Sequence, residues 1–229
     1  MNSRIIVALD FQNDTEAFSF LDKCDPNLCR VKIGKGMFTR YGPTLVKQVI
    51  ALGFEVFLDL KFHDIPNTVY DACRAAADLG VWMLNVHALG GLDMMQMARK
   101  AVSFQTKLIA VTLLTSHNID FLKSLQIELS LNEMVVLLAK LAESAELDGV
   151  VASAHEAREI KSAIPRSFEI VTPGIRLGTD DKHDQVRIMT PKTAVEQGAD
   201  YLVIGRSITQ AISPIQKMHE INQSLTESI

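Results

Sequence analysis

Tryptophan occurs once in the sequence, at Trp82, and cysteine three times, at Cys24, Cys29 and Cys73. Three thiols cannot all pair, and their spacing is not that of a zinc site. They read instead as small hydrophobes kept reduced. Long apolar runs are also missing. Nothing approaches the ~18 residues of a membrane span. The opening MNSRIIVALD offers a five-residue apolar run before Asp10, too short for an export signal. Nor is there an excess of positive charge: 23 Lys and Arg stand against 27 Asp and Glu, a formal charge of -4. That balance disfavours nucleic acid as a partner, and it means that an anionic ligand needs a local basic grip. The expectation is a cytoplasmic protein with no membrane or nucleic-acid partner.

What is present is core-forming material. The 229 residues are 48% hydrophobic and 22% charged, enough for a sizeable interior. Short β-type runs alternate with helix-length amphipathic stretches from end to end. The runs are 4–10, 30–34, 55–61, 83–88, 107–114, 149–154, 169–175 and 201–207. Most are nearly continuous in apolar residues, as parallel strands buried on both faces are. Helix punctuation fits between them. Ser130 with Glu133 and Ser153 with Glu156 form capping boxes, and Thr190-Pro191 and Ser213-Pro214 place a cap before a first-turn proline. Gly53, Gly80, Gly149 and Gly198 stand where left-handed helix ends favour glycine. Strand and helix repeat eight times without a linker. The expected fold is therefore α/β, one (β/α)8 TIM barrel domain over 1–229 with a closed parallel eight-stranded sheet. An open doubly wound sheet is the second choice.

In such a barrel the chemistry gathers where strands end. Reading only those ends gives Asp10, Lys32, Asp59, Lys61, His87, Thr115, Pro173, Arg176 and Arg206. Polar residues recurring at so many ends are the signal. Asp59 and Lys61 are two apart on one strand, so they share a side at about 6.6 Å along the backbone. At an effective dielectric near 20 that separation gives roughly 2–3 kcal/mol of attraction. Lys32 on the neighbouring strand approaches Asp59 from its other side. The alternative reading of these three residues is an internal ion-pair ladder in the barrel mouth with no catalytic duty. At strand eight, Gly205 lets the backbone approach a ligand and Arg206 offers a bidentate fork, a phosphate grip where such barrels usually hold one. His63 and His87 lack partners at metal-ligand spacing and read as hydrogen-bonded structural histidines. The run Met94, Met95, Met97 reads as core or subunit contact, and Trp82 as packing. The charged stretch 176–189 is either a plain loop or a lid that closes over a ligand.

DLKFHDIPNT at 59–68 resembles the signature of the orotidine 5′-phosphate decarboxylase family. VALD, VKIGK, LTS, TPGIR, DQVRIMTP and VIGRSIT resemble the family's other blocks, in order and along the whole chain. The resemblance implies a homodimeric barrel that turns orotidine 5′-monophosphate into UMP, with no metal and no organic cofactor. It makes Lys61 the proton donor within an alternating array of Lys32, Asp59, Lys61 and Asp64. It further implies that Asp64, Ile65 and Thr68 are supplied across the dimer interface, and that Asp10 and Lys32 hold the ribose. Thr115 would read the pyrimidine. Arg176, Gln185, Gly205 and Arg206 would hold the phosphate beside Pro173, with Gln185 on a closing loop. Two rivals remain at this point. A sugar-phosphate decarboxylase or aldolase related to 3-keto-L-gulonate 6-phosphate decarboxylase shares Asp-x-Lys-x-x-Asp. It uses Mg2+, with an acid where this chain has Lys32. The other rival is a non-catalytic barrel that binds phosphorylated nucleosides.

Overall fold

A computed structural model describes residues 3–165, 167–176 and 189–226. Eight strands close into one parallel barrel in chain order: β1 (Ile5–Ala8), β2 (Arg30–Gly34), β3 (Val56–Phe62), β4 (Met83–His87), β5 (Lys107–Val111), β6 (Gly149–Val151), β7 (Glu169–Thr172) and β8 (Tyr201–Ile204). β1 pairs with both β2 and β8, so no sheet edge is left open. The helices α1 (Asp14–Leu21), α2 (Lys35–Ala51), α3 (Pro66–Ala77) and α4 (Gly91–Ala101) fill the first four crossovers. The second half carries α5 (Ile119–Ser124), α6 (Leu131–Ser144), α7 (Ala154–Ala163), α8 (Pro191–Glu196), α9 (Arg206–Thr209) and α10 (Pro214–Thr226). The open-sheet alternative is excluded.

Alternation along each strand divides the apolar residues into two sets. Ile6, Phe57, Met83, Ile109, Val171 and Val203 fill the barrel's inside. Their odd-even neighbours, such as Ile5, Val56, Leu84 and Leu108, join the larger core between sheet and helices. Met94 and Met95 of α4 belong to that outer core. The amino-terminal end of the barrel is plugged by polar and aromatic side chains. The Arg30 guanidinium lies 4.3 Å over the Trp82 ring, and Lys107 pairs with Glu169 at 2.6 Å. Trp82 thus packs, as its position suggested.

Helix signals read from sequence take the expected form. Both capping boxes are closed in both directions, Thr190 caps α8, and Ser213 Oγ accepts from the Gln216 N–H. One glycine is a correction. Gly53, Gly80 and Gly198 have positive φ, but Gly149 lies inside β6, and Glu146, at φ 58, makes the left-handed turn instead. The demand for glycine at 149 is one of space: a Cβ there would sit 2.1 Å from the Glu169 carbonyl oxygen on β7. Several strands also end earlier than their apolar runs. β5 stops at Val111, β7 at Thr172 and β8 at Ile204. There the chain leaves the ladder to form the loops of the carboxyl mouth.

Candidate active site

β2 and β3 bring three of the predicted charges together. Lys32 and Asp59 are each 9% exposed, and they point inward at the carboxyl end of the barrel. Asp59 Oδ1 accepts from Lys61 Nζ at 2.6 Å, while its Oδ2 faces Lys32 Nζ at 3.2 Å. One carboxylate therefore holds two ammonium groups on two different oxygens. Asp10, just past β1, adds an exposed carboxylate 3.7 Å from Lys32 Nζ. Gly34 at the end of β2 keeps this cluster open, since a Cβ there would lie 3.1 Å from Lys32 Nζ. Burial pushes the Asp59 carboxyl up. The Lys32 and Lys61 ammoniums and the hydrogen bonds from Lys61 and Asn85 outweigh it, so the carboxyl is held below the ordinary range.

The approach of Lys61 to Asp59 is not that of a regular strand. Leu58 pairs with Leu84 and Phe62 with Val86, so β3 spends four residues where β4 spends two. Lys61 sits in this bulge with φ 52, a left-handed conformation that costs a non-glycine residue about 1–3 kcal/mol. Its N–H, turned out of the ladder, donates to Asn85 Oδ1 at 2.8 Å. Asn85 is fully buried, and its Nδ2 donates to Asp59 Oδ1 at 2.8 Å. The sequence reading missed it. Its signal was a lone amide inside the apolar run of β4, two residues before His87 and on the same side of the strand.

A cavity of about 1360 Å³ opens beside this cluster, lined among others by Asp10, Lys32, Asp59, Pro173, Arg176 and Arg206. Gly205 also lines it, and a Cβ there would touch only Ala8 Cβ at 3.7 Å. Packing thus permits a side chain at 205, but the side chain would occupy the cavity. Arg206 is exposed at the start of α9, and the Arg176 N–H donates to the Met189 carbonyl at 3.2 Å. Asp64, Ile65 and Thr68 lie apart from the cavity on an exposed rim after β3, with Ile65 67% exposed. Asp64 Oδ1 accepts from the Ile65 N–H and joins no ion pair among the described residues. Thr115 is exposed on the loop after β5 and does not line the cavity. Gln185 lies outside the described residues, as does most of 176–189.

His63 and His87 differ from expectation. Their rings stack with centroids 5.5 Å apart, and His87 Nδ1 is buried with no hydrogen-bond partner among the described residues. Desolvation, followed by the nearby His63, His117, Lys61 and Lys35, pushes His87 down to about 4. Among the described residues no group of three or more His, Cys, Asp or Glu is arranged to hold a metal ion. No described helix is long and apolar enough to cross a membrane.

A closed (β/α)8 barrel with paired charges buried at its carboxyl mouth, beside an arginine-rimmed cavity, defines a TIM-barrel enzyme. Comparison with known proteins narrows the class. The chain belongs to the Orotidine 5'-phosphate decarboxylase / HUMPS family, whose model matches residues 3–221. It is 53% identical over 229 residues to the orotidine 5'-phosphate decarboxylase of Psychromonas ingrahamii, covering 98% of each chain. It is 51% identical to that of Legionella pneumophila over the whole of both. The crystal structure of orotidine 5'-phosphate decarboxylase from Lactobacillus acidophilus superposes with a TM-score of 0.87 at 38% identity, over 97% of this chain and 99% of that one. The enzyme class is accordingly carboxy-lyase, the reaction being loss of CO2 from orotidine 5′-monophosphate to leave UMP in pyrimidine biosynthesis.

Proposed function

We propose that the cluster of Lys32, Asp59 and Lys61 is the decarboxylation centre, and that it works as a field fixed before substrate arrives. Departure of CO2 from C6 of the pyrimidine leaves an electron pair on carbon. Lys61 meets that developing charge as a fixed cation, then delivers its proton to C6. Asp59 orients the Lys61 ammonium and keeps it charged, while Lys32 balances the carboxylate on its other oxygen. Asp10 and Lys32 hold the ribose hydroxyls, and Thr115 reads the ring. Pro173, Arg176, Gly205 and Arg206 surround the phosphate, joined by Gln185. Asp64, Ile65 and Thr68 complete the neighbouring site of a homodimer, with Asp64 as the fourth charge of the array. The free thiols suit the reducing cytoplasm in which this reading puts the enzyme.

The observation that carries the proposal is the two-sided grip of Asp59, 2.6 Å from Lys61 and 3.2 Å from Lys32. It also weighs against the Mg2+-dependent sugar-phosphate reading, which needs an acid where Lys32 stands. The test is decarboxylation of orotidine 5′-monophosphate after exhaustive EDTA treatment, with Lys61→Ala alongside. Wild-type protein stays active, and kcat of the variant falls by roughly 100–1,000-fold or more. A Lys61→Ala enzyme within about twofold of wild type would reject the assignment.

A further inference from the structure

We infer that Asn85 is a positioning residue for the reaction: its one amide sets both the backbone and the ammonium of Lys61. The inference rests on the role given to Lys61 and Asp59 above. The bulge in β3 removes the Lys61 N–H from the ladder, and a buried N–H without an acceptor is unfavourable. Asn85 Oδ1 supplies that acceptor at 2.8 Å. The same amide donates through Nδ2, at 2.8 Å, to Asp59 Oδ1, the oxygen that also takes Lys61 Nζ at 2.6 Å. Lys61 is thus tied to Asn85 twice, directly through its N–H and indirectly through the carboxylate.

The chemistry of the two partners fixes which way the amide faces. The Lys61 N–H needs an acceptor, and the Asp59 carboxylate needs a donor. Asparagine satisfies both in one orientation. Aspartate would satisfy the first and oppose the second, and leucine neither. Nothing on Asn85 reaches the cavity lining, and the side chain is fully buried. Its effect on catalysis is therefore expected through the geometry of Lys61, in turnover rather than in substrate capture. Among the described residues, the charged and titratable groups of this mouth include Asp10 after β1, Lys32 on β2, Asp59 and Lys61 on β3 and His87 on β4. His63, His117 and Lys35 lie beside His87, and Arg176 and Arg206 stand at the cavity.

Asn85→Asp and Asn85→Leu, with wild type and Lys61→Ala as references, are assayed on orotidine 5′-monophosphate between about pH 5 and 9. Circular dichroism and thermal melts report folding. Displacing the reacting ammonium lowers kcat by roughly 30–100-fold in both variants while KM stays within about threefold. In Asn85→Asp two carboxylates share a 2.8 Å contact, so one holds its proton to higher pH, and the acid limb of kcat moves up by about one unit or more. Folded Asn85→Asp with wild-type kcat and an unmoved acid limb would overturn the inference, as would a loss confined to KM. Failure of both variants to fold would make Asn85 a framework residue and overturn it too. Full activity in Lys61→Ala would instead sink the reading of the site on which this one rests.

Discussion

Asp59 shows at the scale of a single side chain why the strand ends are charged. In water a carboxylate and an ammonium at contact attract by about 1 kcal/mol; near a protein surface the figure is closer to 4. Burial enlarges the attraction and the desolvation penalty together, so an isolated ion here would be costly, whereas Asp59 has two cations and an amide donor. The carboxylate is thus held by protein groups on both oxygens, the kind of fixed arrangement that the proposed electrostatic role asks for. His87 shows the opposite choice. It is neutral at pH 7, with Nδ1 unpaired among the described residues and its pKa down at about 4 against an ordinary 6.5. Between those values the unfolded chain binds a proton that the folded one refuses, so stability falls as pH drops from about 6.5 towards 4. Replacing His87 with Gln removes this titration. Thermal melts across that pH range should show a shallower decline of Tm in the variant than in wild type; parallel curves would contradict it. The cysteines behave as the sequence suggested. Burial pushes Cys29 and Cys73 to about 12, leaving both as protonated, packed thiols at neutral pH.

Elements are held in register by a device that occurs twice. Asp148, just before β6, accepts from the Leu108 N–H of β5 at 2.7 Å and from Arg99 of α4 at 2.9 Å. Asp200, just before β8, accepts from the Ile170 N–H of β7 at 2.8 Å and from Lys161 of α7 at 2.7 Å. Each acid ties a strand to the strand before it and to the helix preceding that one. Arg99 is buried, and it also donates to the Val102 carbonyl at 2.7 Å. Removing Asp148 therefore leaves a buried cation short of its acid and a strand N–H short of its acceptor. Asp148→Ala is expected to lose about 2–3 kcal/mol of stability. Asp120→Ala, which breaks an exposed pair 3.7 Å apart, loses no more than about 0.5. Urea unfolding of the two variants separates them, and equal midpoints would refute the argument. This scale also marks the limit of what sequence conveys. Capping boxes and apolar strand runs are local, so they were legible. The staples were not, because Asp148 and Arg99 are 49 residues apart and each alone is an ordinary surface-type residue. Asn85 was hidden for a related reason. Its partners are set by a bulge on another strand, and a period-2 pattern has no mark for a bulge.

For the whole molecule the barrel separates two polar ends by an apolar middle. Arg30, Lys107 and Glu169 close the amino-terminal end, Ile6, Phe57, Met83, Ile109 and Val203 fill the centre, and the paired charges stand at the carboxyl mouth. Closure was legible in the count of eight strand–helix repeats, and the mouth in the polar residues that recur where those strands end. One part of the proposed array is left outside the cluster. Asp64 and Thr68 are exposed, Ile65 presents an apolar side chain 67% exposed to solvent, and Asp64 joins no ion pair among the described residues. A rim of this kind is explained if it serves the site of a second subunit, so that each active centre takes Lys61 from one chain and Asp64 from the other. The consequence is countable. Lys61→Ala and Asp64→Ala enzymes are each inactive alone, since every site in either homodimer lacks one group. In a hybrid dimer both lesions fall on one site and the other is intact. Free exchange in an equal mixture makes about half the dimers hybrid, so activity should return to about one quarter of wild type. Mixing either variant with itself returns nothing. Native mass spectrometry would establish that exchange has occurred, and hybrids without recovered turnover would mean that Asp64 serves its own chain or none.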